Sequence, residues 1–169
     1  MLFRPDRRWS LQKFEPRRGN AQARAAVIQL VSCVRPRLPS VLVIAGAPAC
    51  GKSHLLHAAT RFAWQKHGLA SCSILGARQL ADQVVRGELF GDLPKLAAQL
   101  ATDRLLAVDD VDVLTCYPRV AEFLLAVLQE RQIAQRPSLL SASLAFSEGQ
   151  DNALRRWLDQ QPAVFLQRN

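Results

Sequence analysis

Eight residues constrain this chain more than any others: Gly46-Ala47-Pro48-Ala49-Cys50-Gly51-Lys52-Ser53. They fit the pattern G-x-x-x-x-G-K-[ST] at every fixed position. The run before them, Val41-Leu42-Val43-Ile44-Ala45, is wholly apolar, as expected of a strand buried on both faces. The residues after them read as a helix over 52–66. Strand, loop and helix in that order form an anion cradle. Gly46 and Gly51 are expected to let the backbone turn so that successive N–H groups face inward. The helix adds the positive end of its dipole. In this reading Lys52 reaches the β- and γ-phosphates of a nucleotide and the Ser53 hydroxyl ligates Mg²⁺. The expected ligand is ATP or ADP with Mg²⁺, held by residues 46–53 and by His54.

A second signal lies downstream. Leu105-Leu106-Ala107-Val108-Asp109-Asp110 is four apolar residues ending in two carboxylates. An acid at the end of such a strand holds Mg²⁺ in proteins with this loop, which is the role expected for Asp109. Asp110 then stands where a base polarises an attacking water, beside Lys52 as the other catalytic residue. A plain strand end with solvated acids is the competing reading, because Asp is common in turns. A polar residue is also expected at the end of a later strand, beside the γ-phosphate; Ser141 and Ser143 are the candidates. One strand–helix unit, around residues 72–100, separates loop and acids. That spacing favours a sheet with an additional strand between the two and disfavours a simple nucleoside kinase.

The rest of the chain alternates in the same way. Asn20 is placed to cap an alanine-rich helix over residues 21–31, which Pro36 and Pro39 end. Further strands are expected at 72–75, 104–109, 138–142 and 163–166. Helices are expected at 77–86, 93–100, 120–132 and 152–158. Alternating strands and helices imply a parallel sheet covered on both faces.

Length and charge set the remaining bounds. The chain has 169 residues, enough for one domain, and 49% of them are hydrophobic. No window reaches the roughly 18 consecutive apolar residues of a membrane span. The basic start has no apolar segment behind it, so a secretory leader is not expected and a cytoplasmic protein is. The net charge is +8, and residues 1–40 carry nine Lys or Arg against two acids, which accounts for +7 of it. Residues 1–18 therefore read as a basic arm or linker before a core over 19–169. Such an arm suits contact with DNA or another polyanion, and equally suits a solvated tail. Cys33, Cys50, Cys72 and Cys116 are scattered, and His54, His57 and His67 complete no zinc set with them. Cys50, inside the loop, is either a packing residue or an oxidisable thiol.

Several of these segments are similar to one family. Gly51-Lys52-Ser53-His54-Leu55-Leu56-His57-Ala58-Ala59 resembles the segment opening the first core helix of the DnaA/Hda-type AAA+ ATPases of bacterial replication initiation. Leu11-Gln12-Lys13-Phe14, with Asn20 and residues 23–26, resembles the linker these proteins place before the core. That linker closes over the adenine, a role the resemblance assigns to residues 14–20. Asp109 and Asp110 fit the family's double-aspartate motif, and residues 154–167 resemble the segment that carries its arginine finger. The resemblance implies a P-loop NTPase fold of AAA+ type: a three-layer αβα sandwich with a five-stranded parallel sheet. It also implies contact with another AAA+ protein in replication initiation or its control.

The sequence departs from the family at five points. Trp157 stands at the finger position, with Arg155 and Arg156 just before it. Ser143 stands where the family has Asp or Asn. No helical lid follows, no helix-turn-helix domain is present, and residues 1–10 show no sliding-clamp peptide. The expectation is nucleotide binding with slow hydrolysis by this chain alone. A DNA-associated ATPase helper of the helicase-loader or transposition-helper type, and a degenerate nucleotide-binding interaction module, are the alternatives.

Overall fold

The computed structural model describes residues 8–14, 19–32, 40–68, 72–143 and 153–166. In chain order the elements are α1 (Ala21–Ser32), β1 (Val41–Gly46), α2 (Lys52–His67), β2 (Cys72–Gly76), α3 (Ala77–Phe90), α4 (Leu93–Thr102), β3 (Leu105–Asp109), a 3₁₀ helix (Val111–Cys116), α5 (Pro118–Ile133), β4 (Ser138–Ser143), α6 (Ala153–Leu158) and β5 (Ala163–Leu166). The expected strands and helices are all present. The 3₁₀ helix was not expected, and α5 starts at Pro118, where a fixed φ suits the first helical turn. Among the described residues no helix is long and apolar enough to cross a membrane.

The wholly apolar strands are explained by their alternation. Val41 and Val43 of β1 join Leu106 and Val108 of β3 and Leu140 and Ala142 of β4 in one core, with α3, α4, α5 and α6. Leu42 and Ile44 join Leu105, Ala107 and Leu139 in a second core, with α1 and α2. Successive side chains point to opposite faces, so a strand sandwiched between two helix layers needs apolar residues at every position. Leu11 and Phe14, inside the stretch read as an arm, are buried in the second core.

Five strands form one sheet in the order β2-β3-β4-β1-β5, and every pairing is parallel. From β1 the chain crosses to the far edge at β2, then works back through β3 and β4 and passes β1 to reach β5. Right-handed crossovers require helices on opposite faces before and after that reversal. α2 accordingly covers one face and α3 to α6 the other. The outgoing connections of neighbours β1 and β4 run in opposite directions. Such a switch point opens a crevice at the carboxyl ends of the strands. The additional strand between loop strand and acidic strand is β4.

The opposite end of the sheet is closed by a buried guanidinium. Arg131, in the last turn of α5, has no exposed surface. Its Nε donates to Ser138 Oγ at 2.9 Å, Nη1 to the carbonyls of Leu100 and Asp103 at 2.6 and 2.7 Å, and Nη2 to the Pro137 carbonyl at 2.6 Å. The Asp103 carboxylate, which accepts from Ser73 Oγ, opposes the cost of this burial. Burial still pulls the Arg131 pKa down to about 10. One side chain thus caps the last turn of α4 and ties it to the start of β4. Replacing Arg131 with Met leaves buried carbonyls unpaired and should lower stability by about 3–5 kcal/mol. Arg131→Lys should recover little, because an ammonium lacks the planar fork. Urea denaturation of both variants checks this.

Candidate nucleotide site

The loop after β1 turns through two left-handed residues, Ala49 at φ 61° and Gly51 at φ 99°. Gly46 does not adopt a positive φ; what its lack of a side chain permits is close approach. A Cβ there would stand 2.6 Å from Cys50 Sγ and 2.7 Å from the Leu166 carbonyl oxygen. Cys50 is half-buried against Gly46, and its N–H donates to the Ala47 carbonyl at 3.3 Å, which tightens the turn. Gly51 precedes α2 and supplies no side-chain cap. The first N–H groups of the helix therefore have no capping side chain.

Lys52 is buried, and its Nζ donates to the Gly46 carbonyl at 2.9 Å and the Ala47 carbonyl at 3.1 Å. The ammonium is thus held inside the loop by the loop's own backbone. Next to it is a 370 Å³ cavity lined by Trp9, Pro48, Ala49, Gly51, Lys52, Ser53, His54 and Asp110. Seven of these were expected site residues. Gly46, Ala47 and Cys50 form the turn behind the lining. Asn20 does not line the cavity; its carbonyl accepts the Arg24 N–H at 2.9 Å at the start of α1.

Trp9 was not expected at the site. Its ring stacks on His54 with centroids 5.7 Å apart and meets His57 edge-on at 4.7 Å. Phe14 meets His54 edge-on at 5.3 Å. Residues 9–14 are thereby fixed against the first turns of α2. The two histidines, a helical turn apart, were the only sequence signal, and nothing named their aromatic partner. Of the segment read as closing over an adenine, residues 15–18 lie outside the described residues.

The acids meet the loop across β4. Gly46 pairs with Ser143, and Val108 with Leu140, so the carboxyl ends of β1, β4 and β3 lie side by side. Two strand spacings, about 10 Å, separate the backbones of β1 and β3. Asp109 Oδ1 accepts from Ser141 Oγ, and the Asp110 N–H donates to the same hydroxyl at 2.9 Å. Asp110 is left-handed, at φ 56° and ψ 48°, and its carbonyl starts the 3₁₀ helix. Burial raises the Asp110 pKa, the Asp109 and Asp112 carboxylates raise it further, and Lys52 opposes them. The Ser143 N–H donates to Asp112 Oδ1 at 3.2 Å.

For Mg²⁺ the donor chemistry fits. The Ser53 hydroxyl and Asp109 carboxylate are hard oxygen ligands, and such a site takes its remaining ligands from phosphate and water. Among the described residues no group of three or more His, Cys, Asp or Glu is disposed to hold a metal by itself. Arg155 is half-buried and Arg156 exposed on α6, with Trp157 packed on the core beside α5.

Solved structures share this architecture. A replication initiator DnaA bound to AMPPCP and single-stranded DNA superposes with a TM-score of 0.88 at 20% identity, over 98% of this chain and 51% of that one. Domain III of the Thermotoga maritima replication initiation protein DnaA gives 0.85 at 19% identity, over 97% of this chain and 69% of that one. The DnaC helicase loader gives 0.78 at 13% identity, over 95% and 97%. The chain spans about half the length of the first of these. No protein-family model matches the sequence, and no curated protein does. The fold is therefore the expected P-loop NTPase fold of AAA+ type, with a five-stranded parallel sheet between two helix layers.

Two outcomes follow from the geometry. Gly46→Ala should cost about 1–3 kcal/mol by overpacking, read by chemical denaturation. Adding Cys50→Ala should not restore it, since the Leu166 carbonyl remains in the way. Asp110 has a folded pKa above the unfolded value of 3.8, so the native state holds its proton more tightly and stability falls as pH rises through that window. Asp110→Asn removes this cost and keeps a residue that tolerates the left-handed backbone. In EDTA its melting temperature should exceed the wild type's at neutral pH, with the gap closing below pH 3.8.

Proposed function

We propose that this protein binds ATP or ADP with Mg²⁺ in the cavity beside the loop of residues 46–53. The observation that carries the proposal is the convergence of Lys52, Ser53, the amino end of α2 and Asp110 on one cavity at the switch point of the sheet. In this reading the loop amides and the helix end hold the phosphates. Lys52 exchanges its bonds to the Gly46 and Ala47 carbonyls for phosphate oxygens. Ser53 and Asp109 would hold the metal ion, which would supply charge neutralisation for the phosphates. Asp110, its pKa raised, takes the position of the base beside the attacking water. Ser143, paired with Gly46, stands at the γ-phosphate end. The bound AMPPCP named for the DnaA structure supports the same assignment here.

The function this supports is a nucleotide-dependent partner of another AAA+ protein in replication initiation or its control. In this reading Arg155 or Arg156 of α6, the second of them exposed, would reach a neighbour's phosphate. The second reading, a DNA-associated helper of the helicase-loader type, is favoured by one observation: the match extends over 97% of the DnaC helicase loader. The basic stretch of residues 1–40 would then contact DNA phosphates.

Calorimetry with ATP separates these claims. Lys52→Ala should weaken MgATP binding by about 10- to 100-fold, the worth of a charge-assisted hydrogen-bond set. Unchanged affinity would remove the assignment of the loop. For the helper reading, affinity for single- or double-stranded DNA should fall steeply as salt rises. No binding at low salt would leave the protein–protein reading alone.

A further inference from the structure

Ser141 is a polar residue in the middle of the sheet, with no exposed surface. Its backbone pairs with Ile44 of the loop strand. A hydroxyl offers one donor and two lone pairs. Here the donor goes to Asp109 Oδ1, and one lone pair takes the Asp110 N–H at 2.9 Å. Two successive acids, the last residue of β3 and the one after it, are therefore held by one atom of β4. The first bond engages Asp109 Oδ1 and leaves Oδ2 as the oxygen without this partner. The second secures the backbone of Asp110 in a left-handed conformation that non-glycine residues seldom adopt.

We propose that Ser141 is a positioning residue for the acidic end of β3. Its hydroxyl aims the Asp109 carboxylate at the metal ion and sets the Asp110 side chain toward the cavity. The proposal rests on the nucleotide-site reading above. Ser141 does not touch the ligand; it acts through the two carboxylates. Ser143 is distinct, because its tie to the acidic segment is made by its backbone N–H to Asp112 and survives side-chain replacement. Partners that orient a metal ligand contribute to metal affinity, and removing one weakens it by about 10- to 100-fold. The loop amides and Lys52 are untouched by such a change, so the effect should fall on the metal-dependent part of nucleotide binding.

The experiment is calorimetric binding of ATP with Mg²⁺ and with EDTA to wild type, Ser141→Ala, Ser141→Thr and Ser141→Cys, with melting temperatures as the folding check. Ser141→Ala should keep its affinity in EDTA and lose about tenfold or more of the enhancement that Mg²⁺ gives. Ser141→Thr, which keeps the hydroxyl, should retain the enhancement. Ser141→Cys, close in size but a weak donor, should lose it, and carries the test if the alanine variant does not fold. Equal Mg²⁺ enhancement in wild type and the Ala or Cys variant overturns the proposal, as does a Thr variant as weak as Ala. Wild type that binds ATP without any Mg²⁺ enhancement also overturns it. Wild type that binds no nucleotide overturns the nucleotide-site reading itself, and the proposal with it.

Discussion

The insertion of β4 between β1 and β3 is the constraint on which the site depends. Without it the loop and the acids would sit on adjacent strands about 5 Å apart. With it they face each other across one strand, and that strand is held at both ends. At its start, Ser138 accepts from the Arg131 guanidinium and its N–H donates to the Ser40 carbonyl at 2.7 Å. At its finish, Ser141 and Ser143 bond to Asp109, Asp110 and Asp112 on the β3 side. The strand is apolar where it meets the two cores and polar where it meets its neighbours' ends.

The same geometry places unfavourable terms together. Asp109 and Asp112 both repel Asp110, Asp110 and Ala49 hold left-handed backbones, and Lys52 is drawn into the loop. Such features persist only where the surroundings over-determine them. Here those surroundings are two continuous cores on the two faces of the sheet. Strained and charged groups are gathered at the carboxyl edge, while the opposite edge carries an arginine whose three nitrogens all donate hydrogen bonds.

Much of this was legible in the sequence because the signals were of fixed spacing. The residue pattern of 46–53 and the apolar runs before it and before Asp109 specify strand, loop and acid directly. The fold followed from alternation and from the length of chain between loop and acids. What was not legible depends on contacts across the fold. Arg131 reads as an ordinary basic residue at a helix end, a position that favours cations anyway; its burial is set by α4 and β4. Trp9 meets His54 and His57 only because Leu11 and Phe14 anchor the intervening chain. Val111–Cys116 was assigned no element, since the tight helical turn there starts from the left-handed backbone of Asp110, which no residue pattern announces. The close approach at Gly46 was not legible either, because a glycine's need for space and its need for a positive φ look alike in one letter.

The cap that Arg131 places on α4 also bears on how the molecule opens. A helix that ends in its own glycine can fray alone. α4 instead has its last carbonyls satisfied by a residue from α5, which is bonded in turn to Ser138 and Pro137 at the start of β4. Unravelling that turn strips partners from an arginine that has no exposed surface, so α4, α5 and the foot of β4 should exchange their amide protons as one cooperative block. The head of the same strand carries the hydroxyl that holds Asp109, and the acid is therefore only as steady as a guanidinium at the far end of the sheet.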